Sequence, residues 1–176
     1  MLFRASIFLF LIFFMVGCST RGNPAYKKAL TKKTYNTNNV TSKKNSTTPN
    51  KKHNYITASL YKEYQKWQST PYQLGGDSFN GVDCSSFIQS VYKNAFNIKL
   101  PRTTREQVKK GYKVSRSSHK VGDLIFFKTG YNIRHTGIVI EKGKFMHASQ
   151  KHGVTISDIY NPYWNTHYWQ MRRILP

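Results

Sequence analysis

Apolar residues along this chain change their spacing several times, and each change marks an element. Behind Arg4 comes an uninterrupted run of uncharged, mostly apolar residues, Ala5 to Gly17. A long polar stretch follows, and then Ile56, Leu60, Tyr64 and Trp67 recur at helical spacing, which predicts an opening helix stopped before Pro71. The segment from Pro71 to Asp77 reads as turns. From Cys84, the apolar positions Phe87, Ile88, Val91, Tyr92 and Ala95 lie on one helical face, predicting a second amphipathic helix with Cys84 in its first turn and Asp83 as N-cap. Val121-Gly122-Asp123 then turns into the buried strand Leu124 to Phe127. The stretches His135 to Ile140 and Lys144 to Ala148 read as two strands joined across Glu141-Lys142-Gly143. A three-residue loop with Gly143 left-handed sets Ile140 opposite Lys144 and Gly137 opposite His147, so that His135 and His147 share a face, with space left by Gly137 beside His147. A two-residue loop would shift the register by one and separate the two imidazoles.

The apolar run is 13 residues long, whereas a membrane-spanning helix takes about 20. It therefore reads as the core of a signal peptide, residues 1–17. Its end, Met15-Val16-Gly17-Cys18, resembles the bacterial lipobox, although leucine is more usual where Met15 stands. That resemblance implies lipidation of Cys18 and, from Ser19, sorting to the outer membrane with the rest of the chain facing the periplasm. An ordinary secreted protein cut near Cys18, or a signal anchor, are the alternatives.

Between Ser19 and His53 there are nine Lys/Arg, no Asp or Glu, and many Asn, Thr and Ser. Such a stretch buries too little apolar surface to offset its ordering entropy, so residues 18–55 are expected to be a lipidated, disordered basic tether with a coil-like reach of roughly 30 Å. Residues 56–176 suffice for one monomeric domain with a real core. The whole chain carries +21. Residues 54–176 keep 18 Lys/Arg against seven Asp/Glu, so the folded part is itself basic and favours acidic surfaces such as anionic lipid and wall polymers. Charge alone also suits nucleic acid, but export argues against it.

Only two cysteines are present. With Cys18 carrying lipid, Cys84 is a lone thiol in an oxidising compartment, easier to explain by function than by packing. At a helix start the backbone N–H groups and partial positive charge favour a thiolate and can face an oxyanion. Cys84 then attacks a carbonyl, His135 forms the thiolate–imidazolium pair and protonates the leaving amine, and His147 orients His135. A zinc site from the same three residues is the chemical alternative, but no Cys-x-x-Cys or His-Glu-x-x-His accompanies them, and neither metal nor cofactor is expected. His53, His119, His152 and His167 lack comparable placement and read as surface or hydrogen-bonded structural residues.

Tyr72 to Gly76, Asp83-Cys84-Ser85-Ser86-Phe87, Leu100-Pro101-Arg102-Thr103-Thr104, Gly122-Asp123-Leu124, Arg134-His135-Thr136-Gly137 and His147-Ala148-Ser149 together resemble the NlpC-type cell-wall cysteine peptidases. The resemblance implies an α+β, circularly permuted papain-like fold in which the nucleophile-bearing helix packs on a central antiparallel sheet. It also implies hydrolysis of peptide cross-links in peptidoglycan, with Tyr72 and Ser85 supporting Cys84, His135 and His147. Tyr72 reads equally as core. Arg102 and Arg105 are candidates to meet stem-peptide carboxylates, and the aromatic tail from Tyr160 to Trp169 to stack on sugars, against plain surface and packing roles. Two positions depart from the family pattern: Ser86, where glycine is usual, and Thr136, where valine is usual. Cleavage of the D-glutamyl to diamino-acid bond, acyl transfer, and a non-catalytic wall-binding lipoprotein are the competing functions.

Overall fold

The computed structural model describes residues 49–176. The signal peptide, the lipobox with Cys18 and the tether up to residue 48 lie outside the described residues. Helix α1, Pro49–Trp67, begins seven residues ahead of the expected domain boundary. Pro49 stands at its first position, where a missing N–H costs nothing. Residues 51–55 are exposed, yet they are helical where the composition predicts a disordered tether. They are helical because a helix already docked through Leu60 and Trp67 extends at small cost. No helix among the described residues is long and apolar enough to cross a membrane.

After α1 the chain turns through Ser69, which adopts φ 66°, and makes a two-stranded ribbon, β1 (Asp77–Ser78) and β2 (Gly81–Val82). Helix α2, Cys84–Phe96, follows as the apolar spacing predicts. Asp83 caps it by accepting a hydrogen bond from the Ser86 N–H at 2.8 Å, and Asn97 ends it in the left-handed conformation. A single turn, α3 (Thr104–Gln107), precedes β3 (Tyr112–Val114). Strands β4 (Leu124–Gly130), β5 (Ile133–Glu141), β6 (Lys144–Ser149) and β7 (Gly153–Asp158) then run antiparallel, and α4 (Pro162–His167) leads into β8 (Tyr168–Arg173). The six-stranded sheet has the order β3-β8-β4-β5-β6-β7. The α+β class and the thiol-bearing helix against an antiparallel sheet are as the family resemblance implies.

Both faces of this sheet are covered. Leu124, Phe126, Ile138, Ile140, Met146 and Ala148 pack with Phe87, Ile88, Val91 and Tyr92 of α2. Ile125, Phe127, Val139 and Phe145 form a second core, capped by Trp164 of α4 and Tyr168. Period-2 alternation on β4 and β5 sends successive residues to the two cores.

The β5–β6 hairpin departs from the expectation in an instructive way. Glu141 pairs with Lys144 across the two-residue turn Lys142-Gly143, yet Ile138 still pairs with Met146 and Val139 with Phe145. One extra residue, Ile140, is bulged on β5 and absorbs the shift. Without that bulge the shorter turn would have placed His135 and His147 on opposite faces; with it, they share one.

Candidate active site

His135 and His147 meet directly. His135 Nε2 lies 2.9 Å from His147 Nδ1, and His147 Nε2 lies 2.9 Å from Ser157 Oγ. The sequence reading did not single out Ser157. The β6–β7 register pairs His147 with Thr155, so the two-residue alternation of β7 carries Ser157 onto the histidine face. An aromatic box surrounds the pair: Trp164 stacks on His135 at 5.2 Å and 24°, and Phe145 stacks on His147 at 4.7 Å and 25°. Gly137 admits that ring, since a Cβ there would come within 2.5 Å of Phe145 Cδ2. The space expected beside His147 is thus filled by Phe145.

Burial is the first electrostatic consequence. It pulls the His135 pKa from 6.5 to about 4 and drives that of His147 well below its ordinary value, with the neighbouring His135 and His152 adding to the effect. Both rings are therefore neutral near neutrality. The arrangement fixes their tautomers when His135 carries a second proton: its Nε2–H donates to His147 Nδ1, and His147 Nε2–H donates to Ser157. His135 Nδ1 is then the nitrogen that remains for chemistry.

Cys84 sits in the first turn of α2 and is 6% exposed. Its Sγ lies 3.8 Å from Thr104 Oγ1. Burial raises the thiol pKa; Thr104 and the backbone N–H groups of Thr136 and Ser85 oppose that rise, and the Asp83 carboxylate reinforces it. The expected thiolate preference of a helix start is thus outweighed by desolvation and by the acidic cap. Contact with the Thr136 N–H brings the thiol to the residue next to His135, and no hydrogen bond joins the thiol to either imidazole among the described residues.

The helix start is itself braced. Arg102 donates from Nη1 to Asp83 Oδ1 at 3.0 Å and to Ser85 Oγ at 3.1 Å, and from Nη2 to Asp83 Oδ2 at 2.7 Å. Ser85 Oγ donates to Asp83 Oδ1 at 3.0 Å. Burial alone would raise the Asp83 pKa, but Arg102, the Ser86 N–H and Ser85 together hold it below the usual carboxylate range. Arg102 is therefore committed to an internal bidentate pair and is not offered to a substrate carboxylate. Arg105 lies on exposed α3 surface. Ser86 gives its N–H to Asp83 and its hydroxyl to Gly76 O at 2.8 Å.

Tyr72 lies within the electrostatic reach of the thiol. Burial and the proximity of Cys84 raise its pKa, a hydrogen bond with Gln150 lowers it, and Asp83 adds a smaller rise. Tyr72, His135, His147, Ser157 and Trp164 line one cleft of about 660 Å³, together with Arg134, Lys151 and His152. His152, read from the sequence as a surface or structural residue, therefore lies on the cleft wall. His119 is structural: its Nδ1 bonds to Arg116 O at 2.6 Å and its Nε2 accepts from Gly143 N at 3.3 Å. His167 bonds to Tyr163 O within α4, and His53 is exposed on α1. Among the described residues no group of three His, Cys, Asp or Glu is arranged to hold a metal.

Thr136 is fully buried, yet its Oγ1 has no hydrogen-bond partner among the described residues. A buried hydroxyl without a partner costs about 1–3 kcal/mol. Thr136→Val keeps the backbone N–H and removes the hydroxyl, so it is expected to stabilise the domain by about 1 kcal/mol, read as a higher urea midpoint at unchanged slope. A lower midpoint would show that the hydroxyl has found a partner.

Comparison with known proteins agrees with this geometry. The NlpC/P60 family matches residues 69–173, a span that includes Tyr72, Cys84, both histidines and Ser157. A Haemophilus influenzae protein named "Probable endopeptidase" is 48% identical over 119 residues, covering 66% of this chain and 74% of its own length. The murein DD-endopeptidase MepS/murein LD-carboxypeptidase of Escherichia coli is 41% identical over 120 residues, which cover 68% of this chain and 64% of that protein. The crystal structure of an NlpC/P60 family protein from Bacillus cereus superposes with a TM-score of 0.62 at 30% identity, over 68% of this chain and 40% of that one. The chain thus matches less than two thirds of the length of the last two. A family match over more than half of the sequence, on the residues that build the cleft, makes this protein a member of the NlpC/P60 family.

Proposed function

We propose that the protein is an envelope murein endopeptidase that hydrolyses peptide cross-links of peptidoglycan through Cys84, His135 and His147. One observation carries this reading: the His135–His147–Ser157 chain opens on a cleft that Tyr72 also lines, and Tyr72 lies within electrostatic reach of the helix-start thiol. The 41% identity to a murein DD-endopeptidase directs it to cross-links.

In this mechanism the Cys84 thiol passes its proton to His135 Nδ1, and the thiolate attacks the carbonyl carbon of the cross-link. The carbonyl oxygen becomes an oxyanion facing the Cys84 and Ser85 N–H groups. Collapse of the tetrahedral intermediate breaks the C–N bond, and imidazolium His135 protonates the leaving amine. Water then attacks the thioester while His135 takes its proton. The new acid leaves and the thiol is restored. His147 accepts the Nε2–H of His135 throughout and so holds the ring and its tautomer. The thiol and His135 Nδ1 come within hydrogen-bond reach only in the substrate complex, since catalytic hydrogen bonds commonly form or tighten there. Tyr72 borders the thiol and Ser85 anchors the helix start. The domain works as a monomer, without metal or cofactor.

Anchoring belongs to the same proposal. Lipidated Cys18 holds the chain in the outer membrane with the basic domain facing the periplasm. The intact protein is expected to take up a fatty-acid label and Cys18→Ser to lose it; equal labelling of both would remove the anchor.

Muropeptide analysis after incubating the purified protein with peptidoglycan tests the bond specificity. Loss of cross-linked dimers with matching gain of intact monomers is the expected result. Truncation at the D-glutamyl to diamino-acid bond would replace the cross-link reading with stem cleavage. Loss of a single terminal residue from stems would point to carboxypeptidase action, the other activity in the name of the Escherichia coli relative. Wall binding without any cleavage would leave a scaffold.

A further inference from the structure

Arg102 is occupied by Asp83, whereas Arg134 has no carboxylate partner among the described residues. This residue precedes His135 on β5 and lines the same cleft. Its guanidinium lies 5.4 Å from the centroid of the Trp169 ring, and Lys128 Nζ lies 5.0 Å from the same ring. One indole thus steadies two cations. Lys128 and Arg134 are also direct cross-strand partners, beside an unpaired Thr129 where the β4–β5 register shifts. Like charges placed directly opposite one another across a ladder are unfavourable, and among the described residues no acid pairs with either. The three ion pairs of the described residues are Lys66–Glu63, Arg102–Asp83 and Arg173–Asp123. Among the described residues Arg134 makes a single hydrogen bond, from Nη1 to the neighbouring Ile133 O at 3.1 Å, and the Nη2 side of its fork has no acceptor there. Asp158 is the sole acidic residue among the described residues of the cleft wall, which also carries Lys151, and its Oδ1 already accepts from the Tyr160 N–H at 2.6 Å.

We propose that Arg134, held over Trp169 beside the cleft, receives a carboxylate of the peptide substrate. The inference rests on the murein-peptidase reading and adds the group that sets the register of the acidic peptide. A guanidinium fixed by ring stacking is preorganised for a two-point carboxylate contact, and its position next to His135 ties the bound carboxylate to the reacting centre. The arriving anion also relieves the repulsion between Lys128 and Arg134.

The test uses the full-length protein, Arg134→Gln and Arg134→Lys on two substrates: a cross-linked peptide dimer with free carboxylates and the same dimer with its carboxylates amidated. On the free acid, Arg134→Gln is expected to raise KM about tenfold with little change in kcat, and Arg134→Lys to recover part of the loss. On the amidated dimer the three proteins are expected to share one KM. Equal losses on both substrates, or no loss on either, would overturn the carboxylate role while leaving the peptidase reading intact. A wild-type protein that cuts neither dimer would overturn that reading and this inference with it. Urea midpoints of the two variants separate a binding loss from a folding loss.

Discussion

Cys84→Ala is expected to abolish cross-link hydrolysis, by roughly 10⁴- to 10⁶-fold, while leaving the fold and wall binding in place. The side chain is small and sits at the edge of the α2 core, where Phe87, Ile88, Val91 and Tyr92 are fully buried. Losing one sulfur there removes little apolar area, and alanine is a good helix former. Asp83 still caps the helix through the Ser86 N–H, and Arg102 still clamps Asp83, so the helix start keeps its place. What disappears is the atom that forms the thioester in the proposed mechanism. Muropeptide profiles of wild type and variant, recorded with equal urea midpoints, separate lost chemistry from lost structure. A variant that retained cleavage would remove the thiol from the mechanism and leave direct attack by water within the same cleft.

The parts of this molecule that were legible in the sequence are those governed by local rules. The helix from Cys84, its Asp83 cap and the buried strand from Leu124 follow from apolar spacing and one side-chain acceptor. Tertiary compensation is where the reading fell short. The hairpin turn is one residue shorter than expected, and the bulge at Ile140 that rescues the His135–His147 register leaves no local mark in a run of β-branched residues. Arg102 looked like a surface cation because its partner, Asp83, is 19 residues away. Trp164 looked like tail packing because its stacking on His135 depends on how α4 returns across the sheet. Ser157 could have been found: alternation along Val154-Thr155-Ile156-Ser157 places it with Thr155, and only the pairing of β7 with β6 was missing. The early start of α1 shows the converse limit, since composition reports burial and not helicity.

His135→Ala is expected to lose activity on a scale comparable to Cys84→Ala and, in the same protein, to flatten the acid side of the stability curve. The ring is 9% exposed, and burial lowers its pKa from 6.5 to about 4. Between those values the unfolded chain holds a proton that the native chain does not, so stability rises with pH through this window. It is lost as pH falls from about 6.5 towards 4, with little further change below. The gap corresponds to about 3 kcal/mol. His147 shifts in the same direction, so the variant keeps a residual slope. Urea midpoints of wild type and variant between pH 4 and pH 7 measure the difference. The same experiment decides the resting charge state. If thiol and imidazole formed a stable ion pair before substrate arrives, native His135 would hold its proton and the wild-type slope attributed to it would vanish or reverse. A neutral pair follows from the burial of both groups, Cys84 pushed up and His135 pushed down. Charge separation then belongs to the step in which the substrate carbonyl and the helix-start N–H groups are present to stabilise it.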